Sequence, residues 1–348
     1  MSDELSDALT SCRCQCDKLS SDKLVFWMTS YELTRCVVCG ESDVSEVAGP
    51  AEIRQESELL WQFHMRRLSP RTPPERLVDR VAFSQDPPWR VVQCRQCSLV
   101  YRNPVERREE LRSTYADETP ARDAMLALHE TQRRAYRAQA ARLGRQLEGR
   151  GSGLEVGSYV GAFLAAARST GWSFEGLDVN RAVNAFARSL GFVVHDGDLE
   201  SFRADRTFDA VAIWNTFDQL PDPRAGVRAA ARLLRDGGVL ALRVPNGDCY
   251  RRWRGRLGTG ARPLAVWILA HNNLLTFPYR FGFSPRSLAR LLTDIGFRVD
   301  RVVGDILVPT ADDWTRRWAA LEERALKPIT RRWMPWFEVY ATKHPTRR

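Results

Sequence analysis

Four cysteines stand in two pairs, Cys36-Val-Val-Cys39-Gly40 and Cys94-Arg-Gln-Cys97, with 54 residues between them. Each pair is spaced to present two thiolates to one ion, and two such knuckles complete a closed tetrahedral site of the kind that holds structural zinc. Four thiolates leave no position for water, so no catalytic role is expected of the metal. The long separation implies an insertion between the knuckles. Three further cysteines, Cys12, Cys14 and Cys16, alternate in CRCQC, which reads as part of a disordered tail sooner than as a second metal or redox site.

A second constellation lies downstream. Leu154 to Val156 reads as a strand that runs into Glu155-Val-Gly157-Ser158-Tyr159-Val-Gly161 and then a helix. A glycine-bearing turn between strand and helix lets a ligand approach the backbone and the positive helix end. Asp178, followed by Val179, ends the next strand in FEGLDVN, where a carboxylate can accept hydrogen bonds from both ribose hydroxyls of an adenosine-containing cofactor. Asp198, in HDGDLE, closes a third strand and could contact the adenine amino group. Asn215 closes a fourth in AIWNTFDQLPDP. A pyrophosphate-binding turn would want GxGxxG, and the spacing here is GxxxG, which disfavours a dinucleotide.

These residues need a frame, and the pattern supplies one. Apolar runs at Leu154–Val156, Phe174–Leu177, Phe192–Val194, Ala210–Trp214 and Val239–Val244 alternate with helical segments near 162–169, 180–189 and 223–235. Such alternation predicts a doubly wound α/β sheet with helices on both faces. A helix over Ser284–Ile295 and strands over Phe297–Val303 and Phe337–Thr342 complete it. Residues 1–35 read as a disordered tail, 36–105 as a zinc-ribbon module, 106–150 as a helical linker and 151–348 as the catalytic domain, with 247–283 as a substrate-side insertion or lid. At 348 residues, 44% hydrophobic and 27% charged, the chain can bury a sizeable core. No run reaches the roughly 18 apolar residues of a membrane span, and the acidic, polar start lacks a signal-peptide pattern, so a cytoplasmic location is expected.

The ordered set EVGSYVG, GLDVN, GDLESF, FDAVAIWNTFDQLPDP, LLRDGGVLALRVPN and FSPRSLARLLTDIGFRV resembles a class I S-adenosylmethionine-dependent methyltransferase over about residues 150–342. With CVVCG and VVQCRQCSLVYRNP in front, the chain from residue 36 onward is similar to bacterial small-molecule methyltransferases bearing an amino-terminal zinc ribbon. The resemblance implies a Rossmann-like seven-stranded sheet with an antiparallel last strand, S-adenosylmethionine as cofactor and structural zinc. It implies that Glu155, Gly157, Ser158 and Gly161 shape the methionine side, Asp178 and Val179 the ribose, Asp198 and Leu199 the adenine, with Asn215 at the fourth strand. Tyr159 stands where the family usually has glycine, so its side chain must turn away from the cofactor.

A sulfonium methyl donor is already activated, so alignment and exclusion of water are the main requirements, and only hydroxyl or carbon acids need a base. The catalytic residue is open; Asp218, Tyr250, His271 and Tyr279 are the candidates to scan. The tetrapeptide Asp86-Pro-Pro-Trp89 sits five residues before a knuckle, and the position after the fourth strand reads NTFD, so adenine-amino methylation is not expected. Net charge is +9, and residues after Asn246 carry 19 basic and nine acidic groups, a local +10. Five arginines within CYRRWRGRLGTGAR suit a clamp for phosphate or carboxylate, or a solvated basic loop. The reading is methyl transfer to a small anionic metabolite, such as a nucleotide-linked sugar or a secondary-metabolite intermediate. RNA methylation and a non-catalytic scaffold are the alternatives, and the sequence leaves the oligomeric state open.

Overall fold

The computed structural model describes residues 30–70, 89–109, 120–147, 151–272, 274–275, 279–306 and 315–345. Most of the expected tail, including Cys12, Cys14 and Cys16, lies outside the described residues, as do Asp86, Pro87 and Pro88. In chain order the elements begin with β1 (Tyr31–Glu32), β2 (Val44–Ala48), α1 (Pro50–Arg67), β3 (Arg90–Cys94), β4 (Val100–Asn103), β5 (Val105–Glu106) and α2 (Arg122–Gln146). There follow β6 (Ser152–Val156), α3 (Ala162–Arg168), β7 (Ser173–Asp178), α4 (Arg181–Ser189), β8 (Val194–Asp196), β9 (Phe208–Trp214), α5 (Pro223–Leu233) and β10 (Leu234–Pro245). The chain closes with α6 (Gly247–Arg254), α7 (Arg262–Ala270), β11 (Phe281–Gly282), α8 (Pro285–Thr293), β12 (Phe297–Asp305), α9 (Arg317–Thr330) and β13 (Trp336–Lys343).

Seven strands form one sheet in the order β12-β13-β10-β9-β6-β7-β8. Strands β6 to β10 pair in parallel, and β13 runs antiparallel to both β10 and β12, as the resemblance implied. The chain builds outward from β6 to β8 and then returns to the other side of β6 with β9. That reversal opens a crevice at the carboxyl ends of β6 and β9, where ligands bind in open α/β sheets. Both sheet faces are covered: Val211, Ile213, Leu240 and Leu242 are buried on one side, Ala210, Ala212, Trp214 and Ala241 on the other. This is why β9 and β10 read as nearly unbroken apolar runs. Side-chain caps start the helices, with Asn180 accepting from the Val183 amide, Asp222 from Ala225 and Ser284 from Ser287.

The third strand begins at Val194, two residues later than the apolar run at Phe192–Val194 predicts. Gly191 takes a left-handed turn (φ +80°), and the Phe192 ring packs under the Arg168 guanidinium instead of entering the sheet.

A second sheet has the order β11-β4-β3-β2 and carries the cysteines. Its outer strand, β11, comes from the connection after β10, pairing Phe281 with Tyr101 and Gly282 with Val100. The expected insertion between the knuckles contains α1, whose buried residues Ile53, Glu56, Leu60, Phe63 and His64 recur at helical spacing. This helix packs on α7, where Ala265 to Ala270 are all buried. The 247–283 connection is thus fastened to the cysteine module from two sides.

Candidate cofactor and metal sites

The crevice is lined first by the turn from β6 into α3. Gly157, Tyr159 and Gly161 all have positive φ, at +73°, +43° and +71°. A Cβ on Gly157 would lie 2.3 Å from Thr216 Oγ1, so glycine is what allows the loops after β6 and β9 to approach. Tyr159 accepts the left-handed geometry without that freedom, at a cost of about 1–2 kcal/mol. Its amide donates to Asp178 Oδ2 at 3.0 Å, a charge-assisted bond that offsets the strain. The tyrosine side chain is half-buried against the cluster that joins α2 and α3.

Two carboxyls end the neighbouring strands. Asp178 accepts from the Tyr159 amide on one oxygen and from the Asn180 amide at 3.0 Å on the other. Burial raises its pKa while these amides oppose the shift. Each oxygen keeps a lone pair for a further donor. Glu155 is buried, with Oε2 unpartnered, and its pKa stands well above the ordinary value through burial and the nearby Asp178 charge. The buried Ser158 hydroxyl is also unpartnered. Buried polar groups seldom stay unpaired, so these atoms mark a place where a polar ligand fits. Val179 is half-buried beside Asp178, Asp198 accepts from the Ser201 amide at 2.9 Å, and Leu199 is buried against the core. Asn184, which sequence reasoning missed, donates to Asp178 O at 2.9 Å and to Asp196 Oδ1 at 2.7 Å, tying the ends of β7 and β8 together.

Asn215 ends β9 in a left-handed conformation (φ +58°). Its Oδ1 accepts from Arg243 Nε at 2.7 Å, and its amide nitrogen donates to the Tyr136 hydroxyl at 3.4 Å. Arg243 also donates to Asp305 Oδ2 at 3.1 Å. Burial opposes the Arg243 charge, but Tyr136, Asp305 and Glu338 outweigh it and hold the guanidinium ionised. Sequence reasoning missed Tyr136 and Arg243. A charged residue within the buried run VLALRVP was the available signal.

Of the four catalytic candidates, Asp218 alone belongs to the loop that follows β9. It sits in a single 3₁₀ turn, Phe217–Gln219, fully buried, with both carboxylate oxygens unpartnered. Burial pushes its pKa well above the usual carboxylate range, with Arg102 pulling the other way. The Asp218 carbonyl accepts from the Arg280 amide at 3.3 Å, and the Arg280 carbonyl accepts from the Arg102 amide at 3.1 Å. Both guanidiniums face Glu106, at 3.9 Å from Arg102 and 3.5 Å from Arg280. Tyr250 instead donates to Glu56 Oε2 of α1 at 3.0 Å. His271 stacks on Trp267 at 4.1 Å with Nδ1 2.7 Å from the Trp267 carbonyl, and Tyr279 meets Trp336 edge-on. Their contacts therefore run to α1, α7 and β13. Arg254, one of the clustered arginines, is held by Glu52 at 3.0 Å and Glu56 at 2.6 Å.

The four knuckle cysteines converge, with all four sulfurs within 4.8 Å of one another. Cys36 and Cys97 lie 3.3 Å apart, Cys39 and Cys94 3.5 Å. A tetrahedron of Zn–S bonds near 2.3 Å has edges of roughly 3.8 Å, so the cluster fits that ion. Each knuckle is closed the same way: Gly40 N–H donates to Cys36 O at 2.8 Å and Ser98 N–H to Cys94 O at 2.9 Å. Gly40 and Ser98 both take positive φ, at +79° and +64°. The Cys36 thiol is pushed far up by its contact with Cys97 and by burial, and Cys39 is raised by burial to about 11. A bound cation would reverse both shifts.

A family model described as a methyltransferase domain matches residues 128–302, half of the chain. No curated protein matches. Among solved structures, a chain of the complex between the Haloferax volcanii Trm112 methyltransferase activator and a methyltransferase is 19% identical, with 56% of this chain and 83% of that one covered and a TM-score of 0.41. The glycopeptide N-methyltransferase MtfA with sinefungin is 14% identical over 60% of this chain and 94% of that one, with a TM-score of 0.41. The N-methyltransferase NodS from Bradyrhizobium japonicum is 16% identical over 61% and 96%, with a TM-score of 0.39.

Proposed function

Because the chain belongs to the class I S-adenosylmethionine-dependent methyltransferase family, we propose that it transfers the cofactor's methyl group to a small anionic acceptor at the carboxyl ends of β9 and β10. When bound, the cofactor supplies an electrophilic methyl on a sulfonium, so the protein's own task is to bind, orient and exclude water. Glu155, Gly157, Ser158 and Gly161 would hold the methionine side. Asp178 and Val179 would hold the ribose, and Asp198 and Leu199 the adenine. Asn215, pinned by Arg243 and Tyr136, would separate cofactor from acceptor.

One observation carries the choice of an anion. The buried guanidiniums of Arg102 and Arg280 lie 3.9 Å and 3.5 Å from Glu106, next to the loop that carries Asp218, and make that rim basic. An acceptor carboxylate or phosphate would meet such a rim through charge-assisted hydrogen bonds. Asp218, on the same loop, is a candidate to hydrogen-bond the acceptor through a carboxyl that burial favours in its protonated form. The scaffold alternative rested on Tyr159. The burial of its side chain against the α2–α3 cluster and its amide bond to Asp178 support the catalytic reading instead. The four cysteines would hold one structural zinc.

The test uses thermal shifts of the S-adenosylhomocysteine-loaded protein with sugar nucleotides, phosphate esters, carboxylates and neutral analogues. At least one anionic class should add stability, and Arg280→Met should abolish that increment while retaining the cofactor's own shift. Equal stabilisation by neutral analogues, or an unaltered Arg280→Met response, would count against an anionic acceptor.

A further inference from the structure

The outer surface of α9 does not look like that of a helix meant to face water. Trp318, Leu321 and Ile329 are 49%, 63% and 50% exposed. Drawn at 100° per residue, these three with Ala325 and Pro328 occupy an arc of roughly 100°. Arg317, Arg324 and Arg331 follow at seven-residue intervals along the adjoining edge, and Arg332 is exposed beside them. Of the two acids of the helix, Glu322 borders the apolar arc beside Ile329 but pairs with Arg67 of α1, and Glu323 is buried on the opposite side. Among the described residues the outward face therefore carries large apolar groups and arginines, and the two acids near it are already paired, Glu322 with Arg67 and Asp305 with Arg331 at 3.4 Å. The patch continues onto α6, because the Trp333 ring meets Trp253 edge-on at 5.3 Å and Arg251, Arg252 and Arg256 are exposed there.

We propose that the outer face of α9, with the arginines of α6 beside it, seats the protein on an anionic lipid surface. A helix with an apolar edge and an arginine-rich flank lies in a bilayer interface with its apolar side among the acyl chains and its guanidiniums at the phosphates. Charge selects this occupant over a second copy of the chain, since two such faces would oppose like charges. The aliphatic side chains select it over RNA, which would use the arginines and tryptophan but leave Leu321 and Ile329 in water. The proposal stands on the surface alone and is independent of the acceptor reading.

The full-length protein is sedimented with vesicles of phosphatidylcholine alone and of phosphatidylcholine mixed equally with phosphatidylglycerol, at low and high salt. Wild type should sediment with the anionic vesicles and be released by salt. Leu321→Glu and Arg324→Glu should each lower the partition coefficient roughly tenfold or more. Arg228→Glu, the same charge change on the exposed surface of α5, should leave it within twofold, about the scatter of such assays. The proposal is overturned if wild type remains in the supernatant with anionic vesicles, or if zwitterionic vesicles bind equally. It is also overturned if Arg228→Glu loses as much as Arg324→Glu, if Leu321→Glu splits a dimer on a sizing column, or if the patch retains RNA but no vesicles.

Discussion

Gly157→Ala probes the crevice at its narrowest point. The added Cβ would lie 2.3 Å from Thr216 Oγ1 and 2.9 Å from Thr216 Cβ and Cγ2, and φ is +73°. The left-handed backbone costs an alanine about 1–2 kcal/mol. Forcing Thr216 aside adds about 1–3 kcal/mol of overpacking. The sum, about 2–5 kcal/mol, should appear as a lower denaturant midpoint and as weaker cofactor binding, because the displaced loop is the one that ends in Asn215 and Asp218. The two contributions separate in a double-mutant cycle. All three clashing atoms belong to the Thr216 side chain, so Thr216→Gly should recover about 1–3 kcal/mol in the Gly157→Ala background and leave the backbone cost in place. Equilibrium urea unfolding of the four proteins supplies the energies, and titration with S-adenosylhomocysteine supplies the affinities. A Gly157→Ala protein within about 0.5 kcal/mol of wild type, or a cycle with no recovery, would refute this account of the turn.

Cys36→Ser should lower bound zinc from near one per chain to near none and destabilise the second sheet, as read by metal analysis and thermal melting; full occupancy in the variant would remove the metal assignment. Asp218 makes a pH prediction. Burial raises its pKa well above 3.8, so the folded state keeps a proton that the unfolded chain releases. The stability tied to the neutral acid is complete below the unfolded pKa and is lost as pH rises towards the folded one. Wild type should therefore lose ground to Asp218→Asn as pH rises from about 4 to about 8, and a difference that does not vary with pH would contradict a neutral Asp218.

Much of this was legible because it is local or periodic. The alternation of apolar runs and helical segments located β6, β7 and β9 to within two residues, since parallel strands buried on both faces leave continuous apolar sequence, while β10 starts at Leu234, five residues before the apolar run at Val239–Val244. The two CxxC knuckles predicted the sulfur cluster because spacing within a knuckle sets thiolate geometry. Helix α1 was legible but masked by nearby prolines: Ile53, Leu60 and Phe63 recur at helical spacing after Pro50 in the first turn. Strand β11 was not legible. Two residues carry no periodicity, and their pairing with β4 joins positions far apart in sequence. The same long-range packing explains Tyr250 and His271, scanning targets in a connecting loop whose side chains meet α1 at Glu56 and Phe63. Arginine excess located a charged region without saying which guanidiniums face outward. Arg254 is neutralised by two glutamates, while Arg102, from the cysteine module, faces the β9 rim.

The most direct test of the central claim is isothermal titration of the full chain with S-adenosylmethionine, beside Asp178→Asn. The amide would turn an N–H towards one of two backbone donors, Tyr159 or Asn180, and could accept through only one oxygen. One binding site per chain is expected in wild type, with affinity reduced tenfold or more in the variant, about 1.4 kcal/mol. Absence of heat or thermal shift with millimolar ligand in wild type, or equal affinity in both proteins, would contradict the account.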